Sequence, residues 1–341
     1  MSFRGRDTDD LEAFDRPGRQ SRPRTKDRPD YSGAERGMVV TVDRGRFRVL
    51  ADGRDVTATK ARQLGRAAVI VGDVVRLVGD TSGAEGTLAR IVDVEERATV
   101  LRRTADDNDP YERPIVANAD QLVIVIALAD PPPRTGMIDR ILVAGYDAGI
   151  APLLCLTKAD LAAPDEIMAA YEPLAVPMLA TRPGADLEPL RRALTGRRSV
   201  FVGQSGVGKS TLVNALIPGA RRATGEISEA TGKGRHISTS ALALPLPPAG
   251  AGALIGAAEP GAEPAGWVID TPGLRSFGLS HVSRDRIVAA FADLASITAD
   301  CPRGCTHETG EPECALDEAV RRGELAPVRL ESFRRMLGSG Q

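Results

Sequence analysis

Thr157-Lys158-Ala159-Asp160 comes before Gly203-Gln204-Ser205-Gly206-Val207-Gly208-Lys209-Ser210 in this chain, and Asp270-Thr271-Pro272-Gly273 follows both. The first stretch reads as a guanine-recognition loop. The second is a phosphate loop, G-x-x-x-x-G-K-S without a mismatch, and the third is a turn suited to a terminal phosphate. In an ordinary small GTPase the guanine loop comes last. Its early position here predicts a circularly permuted domain, with the switch region tied to whatever domain comes next.

Working outward, the apolar run Val200-Phe201-Val202 enters the phosphate loop, and Leu212, Val213 and Leu216 lie on one face of the helix expected after it. Glycines let backbone N–H groups curl around phosphates, and the helix adds its positive end. Gly203, Gln204, Ser205, Gly206, Val207, Gly208, Lys209, Ser210 and Thr211 are the expected phosphate ligands, together with Gly273. Lys209 would act catalytically on the β- and γ-phosphates, while Ser210 and Asp270 would hold Mg²⁺. The remaining pattern is α/β. Residues 121–126 and 152–156 are continuous apolar runs of the kind buried on both sheet faces, with helical spacing over 136–148 and a helix expected over 186–194. A parallel doubly wound sheet follows, with ligands at the carboxyl ends of its strands.

In the earlier loop, the Asp160 carboxylate would accept both N1–H and the exocyclic amine of guanine, whereas adenine would leave that buried acid unpaired. Lys158 would lie along the base, and Thr157 stands where Asn is usual. Ala180 and Thr181 are expected to offer a backbone N–H to the base. Between phosphate loop and Asp270, the stretch Gly232-Lys233-Gly234-Arg235-His236-Ile237-Ser238-Thr239 falls where switch I belongs, and Ser238 or Thr239 would complete the Mg²⁺ shell. Leu274 occupies the position where glutamine commonly orients the attacking water, so another group must do so. His236 is the candidate, its alternative being a plain phosphate or RNA contact.

Flanking the core, residues 37–103 carry about five short β runs between Gly and Asp turns, which suits a small OB-fold barrel. Phe47 is the one aromatic in these runs, so the barrel's shape and arginines argue for RNA better than base stacking does. The alternative is a barrel that only packs on its neighbour. Residues 1–36 mix Arg, Asp, Pro and Gly and are expected to form a disordered tail. The stretch 245–266, rich in Ala, Gly and Pro, is expected to be a surface insertion. Cys301, Cys305, His307 and Cys314 offer three thiolates and an imidazole, the ligand set of one closed structural Zn²⁺ site stapling helices over 281–341.

At 341 residues there is room for two or three domains, and a net charge of −2 excludes a uniformly basic nucleic-acid binder. No apolar run is long enough to cross a membrane, and no secretory leader opens the chain. A monomeric, cytoplasmic protein is expected.

Taken in order, Asn118-Ala119-Asp120-Gln121, Thr157-Lys158-Ala159-Asp160, the phosphate loop, Gly234-Arg235-His236, Asp270 to Leu274 and Cys305-Thr306-His307 resemble the circularly permuted RsgA/YjeQ family of ribosome-dependent GTPases. The resemblance implies an OB-fold, a permuted GTPase domain over 104–280 and a C-terminal zinc domain. It further implies binding to small-subunit rRNA, late maturation of that subunit, and hydrolysis of GTP to GDP stimulated by it. Ile237 and Ser238 replace a run of threonines, and both cysteine spacings depart from the family pattern by one residue.

Overall fold

The computed structural model describes residues 30–65, 69–104, 111–218, 220, 241–248, 264–273, 277–279, 282–289 and 291–339. His236, Ser238, Thr239 and Leu274, the tail through residue 29 and insertion residues 249–263 lie outside the described residues. Ala34–Gln341 forms one compact unit, separate from Met1–Gly33. In the latter, Asp30 accepts hydrogen bonds from the amide and hydroxyl of Ser32.

Five strands build the barrel: β1 (Glu35–Asp43), β2 (Arg46–Ala51), β3 (Arg54–Lys60), β4 (Val74–Gly79) and β5 (Ala89–Val94). They pair in the order β1-β2-β3-β5-β4, and β4 returns to β1, closing the ring. Alternation along β1 and β2 turns Val39, Phe47, Val49 and Ala51 inward. β6 (Val100–Arg103) leaves the barrel and pairs with β7 (Arg113–Ala117) as a separate hairpin.

The second part of the sheet holds β8 (Gln121–Ala127), β9 (Ala151–Thr157), β10 (Met178–Ala180), β11 (Arg198–Gly203), β12 (Leu242–Leu246) and β13 (Gly266–Asp270). Their order is β10-β9-β8-β11-β13-β12, parallel except for β12. Thr41 pairs with Leu242, so barrel and α/β sheet are continuous. Between the strands run α1 (Thr135–Asp147), α2 (Asp165–Tyr171), α3 (Glu188–Leu194) and α4 (Lys209–Leu216). The helix expected from residue 186 starts two residues later, with Leu187 at its N-cap, and Asp186 in the turn before it accepts from the Glu188 amide. Pro245 and Leu246, read as insertion, end β12 instead.

β8 is buried along its whole length. Leu122, Ile124 and Ile126 face a core shared with α1 and α2, while Val123, Val125 and Ala127 face one shared with α3 and α4. The chain moves outward from β8 through β9 to β10, then returns to β11 on the other side of β8. That reversal opens a crevice at the carboxyl ends of β8 and β11, where such sheets bind ligands.

Among the described residues four further helices follow: α5 (Arg284–Ala289), α6 (Ala292–Thr298), α7 (Ala315–Arg321) and α8 (Pro327–Ser339). Phe291, Leu294, Leu316, Phe333 and Leu337 join the core on the α1 face of the sheet. Among the described residues the C-terminal helices therefore have no separate core. Among the described residues no helix is long and apolar enough to cross a membrane.

Candidate nucleotide site and metal centre

The strand β11 ends in Gly203, and the loop after it turns into α4 through Gly206 and Gly208, with φ of 85° and 87°. Those left-handed angles are where glycine costs least. No acidic residue sits in the first turn of α4, so the helix meets the loop with its positive end uncompensated. Lys209 is buried, and its ammonium donates to the Asp270 carboxylate and the Thr271 carbonyl. Ser205, Gly206, Ser210 and Thr211 are exposed on the crevice side of the sheet's end, whereas Val207 packs inward.

Asp270-Thr271-Pro272-Gly273 is held against this loop by two features. The Thr271 hydroxyl donates to the Phe201 carbonyl at 2.7 Å. A Cβ on Gly273 would lie 3.3 Å from the Ser205 Cα, an approach a larger residue would push apart.

Fifty residues earlier in sequence, the Thr157 hydroxyl reaches the phosphate loop. It lies 2.6 Å from the Val207 carbonyl and 3.1 Å from the Ile126 carbonyl. A hydroxyl has one proton, and both partners are acceptors, so that proton is committed to the protein. Lys158, with φ of 59°, donates to the Asp130 carbonyl. Asp160 is exposed, and a base stacked over the loop would shield it from water. The Thr181 backbone N–H, expected to read the base, is instead donated to the Leu156 carbonyl at 2.7 Å. Its hydroxyl, like the Gln204 Nε2, is buried without a hydrogen-bond partner among the described residues. Ala180 is exposed beside it. Thus Thr157, Lys158, Thr181, residues 203–211 and residues 270–273 converge on one end of the sheet.

The sequence reading named Asn118-Ala119-Asp120-Gln121 as a motif but gave it no structural role. Asn118, at φ 56°, accepts from the Ala98 amide and donates to the Gly72 carbonyl, both at 2.9 Å. It braces the end of the barrel against β8. Next to it, Asp120 and Gln121 bond the Arg198 amide and the Ser199 hydroxyl, setting β11 beside β8. Three polar residues, Asn118, Asp120 and Gln121, at the entry to an apolar strand were the available signal.

At the C-terminal end, ligand atoms of Cys301, Cys305, His307 and Cys314 lie within 4.8 Å of one another. His307 Nδ1 is 3.6, 3.4 and 3.9 Å from the three sulfurs. Tetrahedral zinc with thiolate and imidazole ligands places neighbouring ligand atoms about 3.5–3.8 Å apart, so the set fits. Burial first, and neighbouring thiols after it, push Cys305 up to about 11. Three thiolates this close call for a cation. Arg334 donates to the His307 carbonyl at 2.9 Å and pairs with Asp317, tying the loop to α8 and α7. Cys155 stands apart, buried, its thiol pushed up to about 12 by desolvation.

A doubly wound sheet whose base-loop candidate precedes its phosphate loop, joined to a closed five-stranded barrel, defines a circularly permuted P-loop protein. The YjeQ structure from Thermotoga maritima superposes with a TM-score of 0.63 at 26% identity, covering 90% of this chain and 98% of that one. YloQ, described as a circularly permuted GTPase, gives 0.61 at 23% identity and supports the fold alone.

The chain belongs to the RsgA GTPase family, whose sequence profile matches residues 94–280. The small ribosomal subunit biogenesis GTPase RsgA of Azotobacter vinelandii is 43% identical over 236 residues, 67% of this chain. That alignment spans 64% of the relative's own length. The protein of that name from Pseudomonas fluorescens SBW25 is 38% identical over 281 residues, 80% of this chain and 75% of its own.

Proposed function

We propose that this protein hydrolyses GTP to GDP and phosphate, stimulated by the small ribosomal subunit, in late maturation of that subunit. The observation that carries the reading is the Thr157 hydroxyl on the Val207 carbonyl. It fastens the candidate base loop directly to the phosphate loop, so the two border one crevice.

In this reading the amides of residues 203–211 cradle the phosphates, Gly273 meets the γ-phosphate, and Lys209 moves from Asp270 onto the β- and γ-oxygens. Mg²⁺, when bound with GTP, would neutralise charge that develops on those oxygens. Ser210 and Asp270 would hold it, with Ser238 or Thr239 as the further ligand. Asp160 takes the Watson–Crick edge of guanine, Lys158 covers the base, and Ala180, exposed beside Thr181, offers its backbone to the base edge. Water attacks in line, and His236 is the group proposed to orient it. Zn²⁺ at Cys301, Cys305, His307 and Cys314 would fix the loop between α6 and α7.

The barrel and its exposed arginines would meet rRNA, with the protein acting as a cytoplasmic monomer. GTP turnover measured with and without purified small subunits tests the reading. A sharp rise with subunits, abolished by Lys209→Ala, is expected. Equal turnover in both conditions sinks it, and stimulation by a protein fraction free of subunits would favour a protein-regulated GTPase instead. His236→Ala should lose the stimulation while keeping subunit binding.

A further inference from the structure

Asp139 lies on α1, wholly enclosed, yet it carries a carboxylate. Three donor atoms converge on it, from one side chain on each of two other helices. Arg335 of α8 donates through Nε at 2.5 Å and Nη2 at 3.3 Å. The Tyr171 hydroxyl of α2 donates at 2.8 Å to Oδ1 of the same carboxylate, the oxygen that Nη2 also reaches. The Arg335 guanidinium also sits over the Tyr171 ring, 5.3 Å from its centre. A buried ion pair adds little net stability compared with an apolar substitute, but a two-pronged guanidinium–carboxylate contact admits one register of the helices that carry it.

One helical turn before Asp139, α1 begins at Thr135, whose carbonyl is 3.2 Å from the same Tyr171 hydroxyl. The residues just ahead of it, 130–134, form the rim of the nucleotide crevice. Pro131 would be 3.7 Å from a Cβ on Gly206 of the phosphate loop, and the Asp130 carbonyl receives the Lys158 ammonium. On the other flank of α1, Arg140 reaches the Phe277 carbonyl, just past the Asp270–Gly273 turn, at 3.3 Å. The far end of α1 is gripped by α5, where Arg286 meets Asp147 at 2.7 Å. A thirteen-residue helix behaves as a rod, so what fixes its middle fixes its first turn.

We propose that Asp139 and Arg335 are positioning residues for the nucleotide site: α8 sets α1, and α1 sets the rim that closes on both the base loop and the phosphate loop. The C-terminal helices therefore act on the pocket by a second route, independent of the covalent link that follows Gly273. This rests on the guanine-nucleotide reading above for its ligand, but the contact itself does not.

The test uses full-length, zinc-loaded protein. Arg335→Met leaves a lone buried carboxylate and risks misfolding, so Asp139→Asn/Arg335→Met, which removes both charges, is made beside it, with Arg335→Lys as the conservative variant. Release of a fluorescent GDP analogue should quicken about ten-fold in the double variant, the effect of losing one charged hydrogen-bonded contact, and much less in Arg335→Lys. Amide exchange at Met137 and Ile138, which bond the Arg134 carbonyl, should quicken with it while Leu212 in α4 stays protected. A folded, zinc-bound double variant with wild-type GDP release and wild-type exchange at Met137 and Ile138 overturns the proposal. If the wild type bound no GDP analogue, the nucleotide reading would fail, and the exchange data would still decide the latch.

Discussion

Replacing Thr157 by valine keeps the shape of the side chain and removes its hydroxyl. The structure assigns that hydroxyl's proton to the Val207 carbonyl at 2.6 Å, with the Ile126 carbonyl farther off at 3.1 Å. Val207 is buried, so its carbonyl loses a partner that water does not readily replace. Leaving such an acceptor unsatisfied costs about 1–2 kcal/mol, a factor of about 5–30 in an equilibrium constant. The contact orders the phosphate loop and leaves no proton for the base. GTP and GDP should therefore weaken by the same factor in that range, with the preference for GTP over xanthosine triphosphate unchanged. Thr157→Ser, which restores the hydroxyl, should recover most of the loss. Competition titrations against a fluorescent nucleotide measure all three ratios. A shift in base preference in the valine variant would refute the reasoning, because it would mean that Thr157 reads the base itself.

Asp160→Asn should act oppositely, weakening GTP and favouring xanthosine triphosphate in the same titration, since an amide presents a donor where the carboxylate accepts. Asn118→Ala strips partners from the Ala98 amide and the Gly72 carbonyl and puts alanine at φ 56°, so urea unfolding should show a loss of about 2–4 kcal/mol. Cys314→Ser should lower bound zinc from one ion per chain to a substoichiometric amount by native mass spectrometry. It should also lower the melting temperature of the α/β core, because α7 and α8 share that core rather than owning one.

The parts that sequence made legible were those whose signal is local. The phosphate loop, the buried runs of β8 and β9 and the Cys/His cluster each announce themselves within about a dozen residues. β3 did not, because in Arg-Asp-Val-Thr-Ala-Thr-Lys the inward positions are filled by Val56 and Ala58 alone. Thr181 was misjudged because whether its amide is free depends on the neighbouring strand's Leu156 carbonyl. Asp139 and Arg335 lie 196 residues apart, and nothing in either neighbourhood marks the other. Asn118 was visible as part of a motif, but its bracing role exists only once Gly72 is folded beneath it.

The enclosed thiol on β9 has a practical consequence. If zinc holds the three clustered cysteines, as proposed, then with Cys155 sealed in the sheet and its thiol pushed up to about 12, a maleimide dye finds no reactive sulfur on the native chain. A cysteine introduced at an exposed position, on the barrel or beside the crevice, would then be the sole attachment point, and fluorescence from it would report one place without first stripping the native cysteines away.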